Sequence, residues 1–320
     1  MINLSCSAAA MAASAVVRAA QLLLSDLEHG RRIDAAGTLR AAMETAFGAS
    51  DASGAWHWKA AYDACEAATV LFLRKYASSM RAKTGSPASM LSMLAKIATL
   101  LPTHTRRSEE SEALQQFSTP IPLGFVVCRA TGITKADLVL EPSAGTGLLA
   151  ILAEMSGGSL VLNELAERRA GLLDHLFPHA AVTRFDAAQI DDHLDRGIAP
   201  SVVLMNPPFS ALANVDRQMA DAAFRHVTSA LARLSDSGRL VAITGASFAP
   251  DNPAWTDASF ACKSAAASCS RRQLMAPSMQ STEPIRIHGC WSSTSSQPPI
   301  RGHFLSHPAW RQMSPHCSTG

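Results

Sequence analysis

Apolar positions in the first hundred residues recur at the spacing of helix faces. Val16, Val17, Ala20, Leu23, Leu24 and Leu27 mark one such face. The segment from Asp63 to Tyr76 is helical in composition. Ser86 and Pro87 read as an N-cap followed by proline at the first helical position. Met90, Leu91, Leu94, Ile97 and Leu101 then line a buried face that Pro102 stops. Residues 1–102 are therefore expected to form a helical N-terminal region. Trp56 and Trp58 flank His57 in a loop-like stretch, and they read as packing residues in preference to a stacking surface for a base. No chemistry is assigned to this region.

Residues 103–116 form a polar linker in which Arg106 and Arg107 stand beside Glu109, Glu110 and Glu112. It reads as a solvated connection of mixed charge in preference to a phosphate contact. From 117 to 258 the period changes. Short β-rich apolar runs at Asp137–Leu140, Ser159–Leu162, Val182–Arg184, Ser201–Met205 and Arg239–Thr244 alternate with helical stretches. The clearest of those stretches are Gly147–Met155, Ala166–Leu176 and Asp216–Leu234. The alternation predicts an α/β fold, a Rossmann-like parallel sheet of about five strands with helices on both faces. The unbroken apolar runs VVLM and LVAIT predict central strands.

Residues 259–320 follow neither period. They hold thirteen serines, six prolines, four histidines and four cysteines, with six Lys/Arg against the single acid Glu283. The segment reads as a disordered, non-native tail, of the kind an out-of-frame translation from near residue 258 produces, in preference to a basic nucleic-acid-binding arm.

A net charge of +2 neither requires nor excludes a nucleic-acid partner, and 48% apolar residues predict a buried core. No run of eighteen apolar residues predicts a membrane span. No basic segment precedes Arg18, so the N-terminus reads as a cytoplasmic helix in preference to a secretory signal. The cysteines lack C-x-x-C spacing and suggest neither a metal site nor a disulfide framework.

The chemistry concentrates at strand ends. Glu141-Pro142-Ser143-Ala144-Gly145-Thr146-Gly147 lies between the run DLVL and the helical GLLAILAEM. Strand, glycine turn and helix in that order make a ligand loop, with backbone able to approach the ligand closely. No Gly-Lys-Ser/Thr follows, so it is not a P-loop. Glu164 closes the second strand, where an acid can accept from ribose hydroxyls. Asp186 follows the third, placed for an adenine amino group or for a helix cap. Asn206-Pro207-Pro208-Phe209 ends the fourth. There the Asn206 carboxamide oxygen and the Pro207 carbonyl can accept the two hydrogens of an exocyclic amine, and Phe209 offers a face for the base.

In this combination the chain resembles the amino-methyltransferase branch of the S-adenosylmethionine-dependent methyltransferases. The order of Phe117-Ser118-Thr119-Pro120, the glycine loop and Asn206-Pro207-Pro208-Phe209 is similar to the gamma-type DNA adenine-N6 enzymes. The resemblance implies a class I methyltransferase sheet, S-adenosyl-L-methionine as cofactor and DNA as partner, with no membrane. Phe117, Thr119 and Pro120 would touch the methionine part of the cofactor. The loop from Glu141 to Gly147 would hold the same portion, Glu164 the ribose and Asp186 the adenine. Asn206, Pro207, Pro208 and Phe209 would hold the target amine. The stretch before Ala258 also resembles the methylase portion of bacterial strawberry-notch-type helicase/methylase proteins, which implies a helicase domain in full-length relatives. That family has seven strands, whereas five are legible here, leaving an open sheet edge.

Three alternatives stand beside DNA methylation. Glutamine methylation in a protein uses the same amine chemistry, but its motif usually ends in tyrosine, so Phe209 and Phe117 favour a base. An amine in RNA satisfies the same motifs. An inactive cofactor-binding fragment accounts for the tail.

Overall fold

Ser7 accepts a hydrogen bond from the Ala10 amide and so starts α1 (Ala8–Glu28). The structure is a computed structural model that describes residues 7–103, 118–207, 217–245, 268–270, 276–277 and 284–291. By length and composition alone α1 could cross a membrane. Its Val16, Ala20, Leu23 and Leu27 are instead buried, in a helix that packs on its neighbours within the chain. After α2 (Arg40–Phe47) comes the long α3 (Trp58–Thr84), ended by Gly85 at φ +58°. Ser86 and Pro87 open α4 (Pro87–Thr99) as the sequence predicts, with the Ser86 hydroxyl accepting from the Ser89 amide at 3.2 Å. Both tryptophans are structural. The Trp56 indole donates to the Ala49 carbonyl at 3.0 Å, and Trp58 donates to Asp51 at 3.0 Å beneath the Arg40 guanidinium.

The second half alternates as expected. In order come α5 (Ile121–Thr131), β1 (Leu138–Glu141), α6 (Leu148–Met155), β2 (Ser159–Asn163), α7 (Glu167–Leu176) and β3 (Ala181–Thr183). Then follow α8 (Ile190–His193), β4 (Val202–Met205), α9 (Arg217–Ala232) and β5 (Arg239–Gly245). The helix α5 is not legible from the pattern, because IPLGFVVCRAT carries a proline and a glycine. Pro122 falls in the first turn, where no amide partner is lost. Gly124 is needed where α5 meets α6, since a methyl there would lie 2.9 Å from a Leu152 methyl.

The five strands pair in parallel in the order β3-β2-β1-β4-β5. Two-residue alternation divides each strand between two cores. Val202, Leu204, Val241 and Ile243 face the layer containing α1 to α7, and Val203, Met205, Leu240 and Ala242 face α8 and α9. The strand starts are tied by Asp137, whose carboxylate accepts from Arg239 at 2.8 Å and from the Ser201 hydroxyl at 2.8 Å. The chain moves outward from β1 through β2 to β3, then returns to place β4 on the other side of β1. That reversal opens a crevice at the carboxyl ends of β1 and β4, where ligands of such sheets bind.

The segment read as a tail without a fold contributes three strands, which corrects that expectation at these positions. β8 (Pro284–Trp291) runs antiparallel to β5, from Arg239 opposite Trp291 to Gly245 opposite Ile285. β6 (Ser268–Ser270) and β7 (Ala276–Pro277) pair antiparallel with β8. PIRIHGCW alternates Ile285 and Ile287 with Arg286 and His288, a strand period masked by the serine-rich composition around it. The β5 edge predicted to stand open is thus paired.

Candidate functional site

The crevice is built around Asn163, a residue that motif reading passes over. Its carboxamide nitrogen donates to the carbonyls of Pro142 and Phe185, both at 2.9 Å. Its oxygen accepts from the Phe185 amide and the Thr183 hydroxyl, both at 2.8 Å. One buried side chain therefore fastens the ends of β1, β2 and β3 in register, with its hydrogen-bonding capacity used. The lone signal in the sequence is a polar residue inside the run LVLNEL.

Residues 142–147 turn sharply between β1 and α6, with Gly145 at φ +59° and Gly147 at φ +86°. A methyl at Gly147 would also lie 2.3 Å from Phe177 Cε2, so two independent constraints require glycine there. Glu164, expected to face ribose hydroxyls, is turned inward. Its oxygens accept from the amides of Gly145 and Ala166, both at 2.9 Å, so it anchors the glycine loop directly. Asp186 stands at the end of β3, where it caps a short turn by accepting from the Ala188 amide at 2.9 Å. His226 lies 3.9 Å away; burial lowers its pKa against the pull of Asp186, so it is neutral at pH 7.

A small open cavity lies against the loop. It is lined by Thr119, Glu141, Ser143, Ala144, Gly145, Thr146 and Asn206 among the expected residues, together with Glu66, Ser118, Leu148, Leu149 and Arg169. Pro120, Pro142, Gly147, Glu164, Asp186 and Pro207 do not line it. Phe117, Pro208 and Phe209 lie outside the described residues, as do Arg106 and Arg107. Asn206 Nδ2 donates to the Thr119 hydroxyl at 3.0 Å, while Asn206 Oδ1 is buried with no hydrogen-bond partner among the described residues. Glu141 likewise leaves one carboxyl oxygen, Oε2, buried and unpartnered.

The helical region supplies part of this site, which corrects the reading that it holds no chemistry. From α3, Glu66 accepts from the hydroxyls of Ser118 and Thr146, joining the segment before α5 to the glycine loop. Asp63, one turn earlier, accepts from Lys59, Arg168 and Arg169 at 2.9, 3.1 and 2.8 Å. The signal for both was present, as acids at positions 63 and 66 of an otherwise alanine-rich helix that the structure buries entirely along that stretch. Buried acids of that kind must be partnered.

Burial, with the neighbouring Glu164 carboxylate, pushes the Glu141 carboxyl well above its ordinary 4.5. A raised folded-state value contributes stability that is complete below the ordinary value and lost as pH rises through the raised one. Glu141→Gln is therefore expected to stabilise the empty protein by about 1–3 kcal/mol near pH 8. The gain should vanish near pH 4, where wild-type Glu141 is already neutral; urea midpoints at the two pH values check this.

No family model matches the chain, and no curated protein matches it. Among solved structures, a protein assigned to the class I S-adenosylmethionine-dependent methyltransferases from Listeria monocytogenes superposes with a TM-score of 0.50 at 14% identity, over 95% of this chain and 96% of that one. A protein assigned as an RNA methyltransferase from Pyrococcus horikoshii gives 0.45 at 18%, over 66% of this chain and 99% of that one. TrmN from Thermus thermophilus gives 0.43 at 18%, over 58% of this chain and 52% of that one, so the chain spans about half of its length. The fold is the Rossmann-like sheet of class I methyltransferases.

Proposed function

We propose that the chain is an S-adenosyl-L-methionine-dependent N-methyltransferase acting on the exocyclic N6 of adenine in DNA. The observation that carries the reading is the buried, unpartnered Oδ1 of Asn206 at the carboxyl end of β4, beside the glycine-loop cavity. A buried acceptor left without a donor costs free energy unless a ligand supplies one, and an amine hydrogen fits that requirement.

The residues present suit the cofactor. Gly145 and Gly147 give close backbone approach, the unpartnered Glu141 Oε2 suits a cationic ligand, and Asp186 keeps an exposed carboxylate beyond its capping bond. Glu164 holds the Gly145 amide and so fixes the loop on which the cofactor would rest. Bound S-adenosyl-L-methionine supplies an electrophilic methyl group. Asn206 Oδ1 and the Pro207 carbonyl each accept one hydrogen of the target amine, drawing the nitrogen lone pair out of conjugation. The nitrogen–methyl bond would form as the sulfur–methyl bond breaks, leaving S-adenosylhomocysteine. The methylated nitrogen would then release one proton to solvent, so no base is needed before transfer. An adenine in a duplex must leave the stack to reach such a crevice, at a cost of a few kcal/mol.

Calorimetric titration with S-adenosyl-L-methionine tests the cofactor half of this reading. Wild type should bind, and Asp186→Ala should bind about tenfold more weakly, the scale of one hydrogen bond to a charged group. Absence of binding to the folded wild-type chain overturns the reading. Labelled methyl transfer to double-stranded DNA and to RNA, run in parallel, then distinguishes the acceptors.

A further inference from the structure

We infer that Thr119 is a positioning residue for the target amine, holding the Asn206 carboxamide in place where the base arrives. This deepens the proposed function and rests on it. The segment that resembles a cofactor-binding motif would then act on the other substrate.

The geometry starts from α3. Glu66 accepts from Ser118, immediately before Thr119, and from Thr146 in the glycine loop, so the segment leading to Thr119 is fastened to the loop. Thr119 is itself buried, just ahead of α5. A buried β-branched side chain has little rotational freedom, so its hydroxyl oxygen keeps its place. That hydroxyl takes the Asn206 Nδ2 hydrogen at 3.0 Å.

A carboxamide turned by half a rotation exchanges a donor for an acceptor at almost the same position. Orientation therefore decides the chemistry at this residue. With Nδ2 held by Thr119, Oδ1 stays directed away as the buried unpartnered acceptor. Turned the other way, Asn206 would present an NH2 group to an amine, donor against donor. The bond between Thr119 and Asn206 thus couples the segment before α5 to amine recognition at the end of β4.

Thr119→Val and Thr119→Ser separate this role from a cofactor contact. Methyl transfer to unmethylated double-stranded plasmid DNA and to total RNA is measured at saturating S-adenosyl-L-methionine, with cofactor Kd measured by calorimetry on the same preparations. The valine variant keeps the shape and removes the acceptor. It should lose kcat by up to about a hundredfold, the scale of a misplaced reacting group, with cofactor Kd within a few-fold of wild type. The serine variant should restore most of kcat. Retained cofactor binding by the valine variant shows that its pocket is folded. A valine variant with raised Kd and unchanged kcat overturns the inference in favour of a cofactor contact. Equal loss in both variants also overturns it, because the hydroxyl would not be the operative group. A wild-type chain that transfers no methyl group fails the underlying function itself, before either variant is compared.

Discussion

Asp63→Asn is expected to lower the unfolding free energy by about 3–5 kcal/mol, the cost of breaking a buried ion-pair cluster by removing one partner. Asp63 is 0% exposed, and Lys59 and Arg169 around it are 6% and 4% exposed. Burial alone would raise its carboxyl pKa, but Arg169 and Lys59 overcome this and hold it well below the usual carboxylate range. Asparagine can still accept hydrogen bonds but leaves the buried Lys59 and Arg169 without the carboxylate they pair with. Asp63→Leu, which removes the acceptors as well, should be worse. The sign with pH follows from the depressed value: the contribution is complete above the ordinary 3.8 and fades as pH falls below it. Urea unfolding of wild type and Asp63→Asn should therefore differ most at neutral pH and converge in acid. A difference below about 1 kcal/mol at pH 7 would show that the cluster is not holding α3 to α7.

Asn206→Ala should reduce methyl transfer by about a hundredfold to a thousandfold, the range for deleting one preorganised hydrogen-bonding group from a catalytic site. Cofactor affinity should stay within a few-fold, because the partner proposed for Oδ1 is the amine. Stability should change little or rise, since the substitution removes a buried oxygen that has no partner. That combination is diagnostic. A residue kept for packing would lose stability without a specific loss of turnover. Transfer that survives Asn206→Ala would sink the role given to this side chain.

The class of fold was legible because parallel strands buried on both faces leave continuous apolar runs, and VVLM and LVAIT proved to be the central β4 and β5. The glycine loop was legible because positive backbone angles at Gly145 and Gly147 demand a residue type visible in one-letter code. What the sequence concealed was long-range. Glu66 lies 80 residues from Thr146, and no local pattern indicates that the two meet. Glu164 showed the opposite case: its position at the strand end was correct, yet its carboxylate turns inward to hold Gly145, a choice made by packing and not by spacing. The strand Pro284–Trp291 was obscured by composition, because serines on either side hid the alternation from Ile285 to His288.

The same acids bear on how such a protein can be divided. Val16 and Leu23 of α1, Tyr62 of α3 and Val241 and Ile243 of β5 belong to one continuous apolar core. Asp63 and Glu66 carry charge from the helical layer into the loop at the head of the sheet. Shortened to its sheet alone, the chain would keep every recognisable motif and yet leave Arg169 without its ion-pair partner Asp63 and Thr146 without its acceptor. The smallest portion that can be transplanted as a working unit therefore begins upstream of the first motif, and its boundary is drawn by electrostatics.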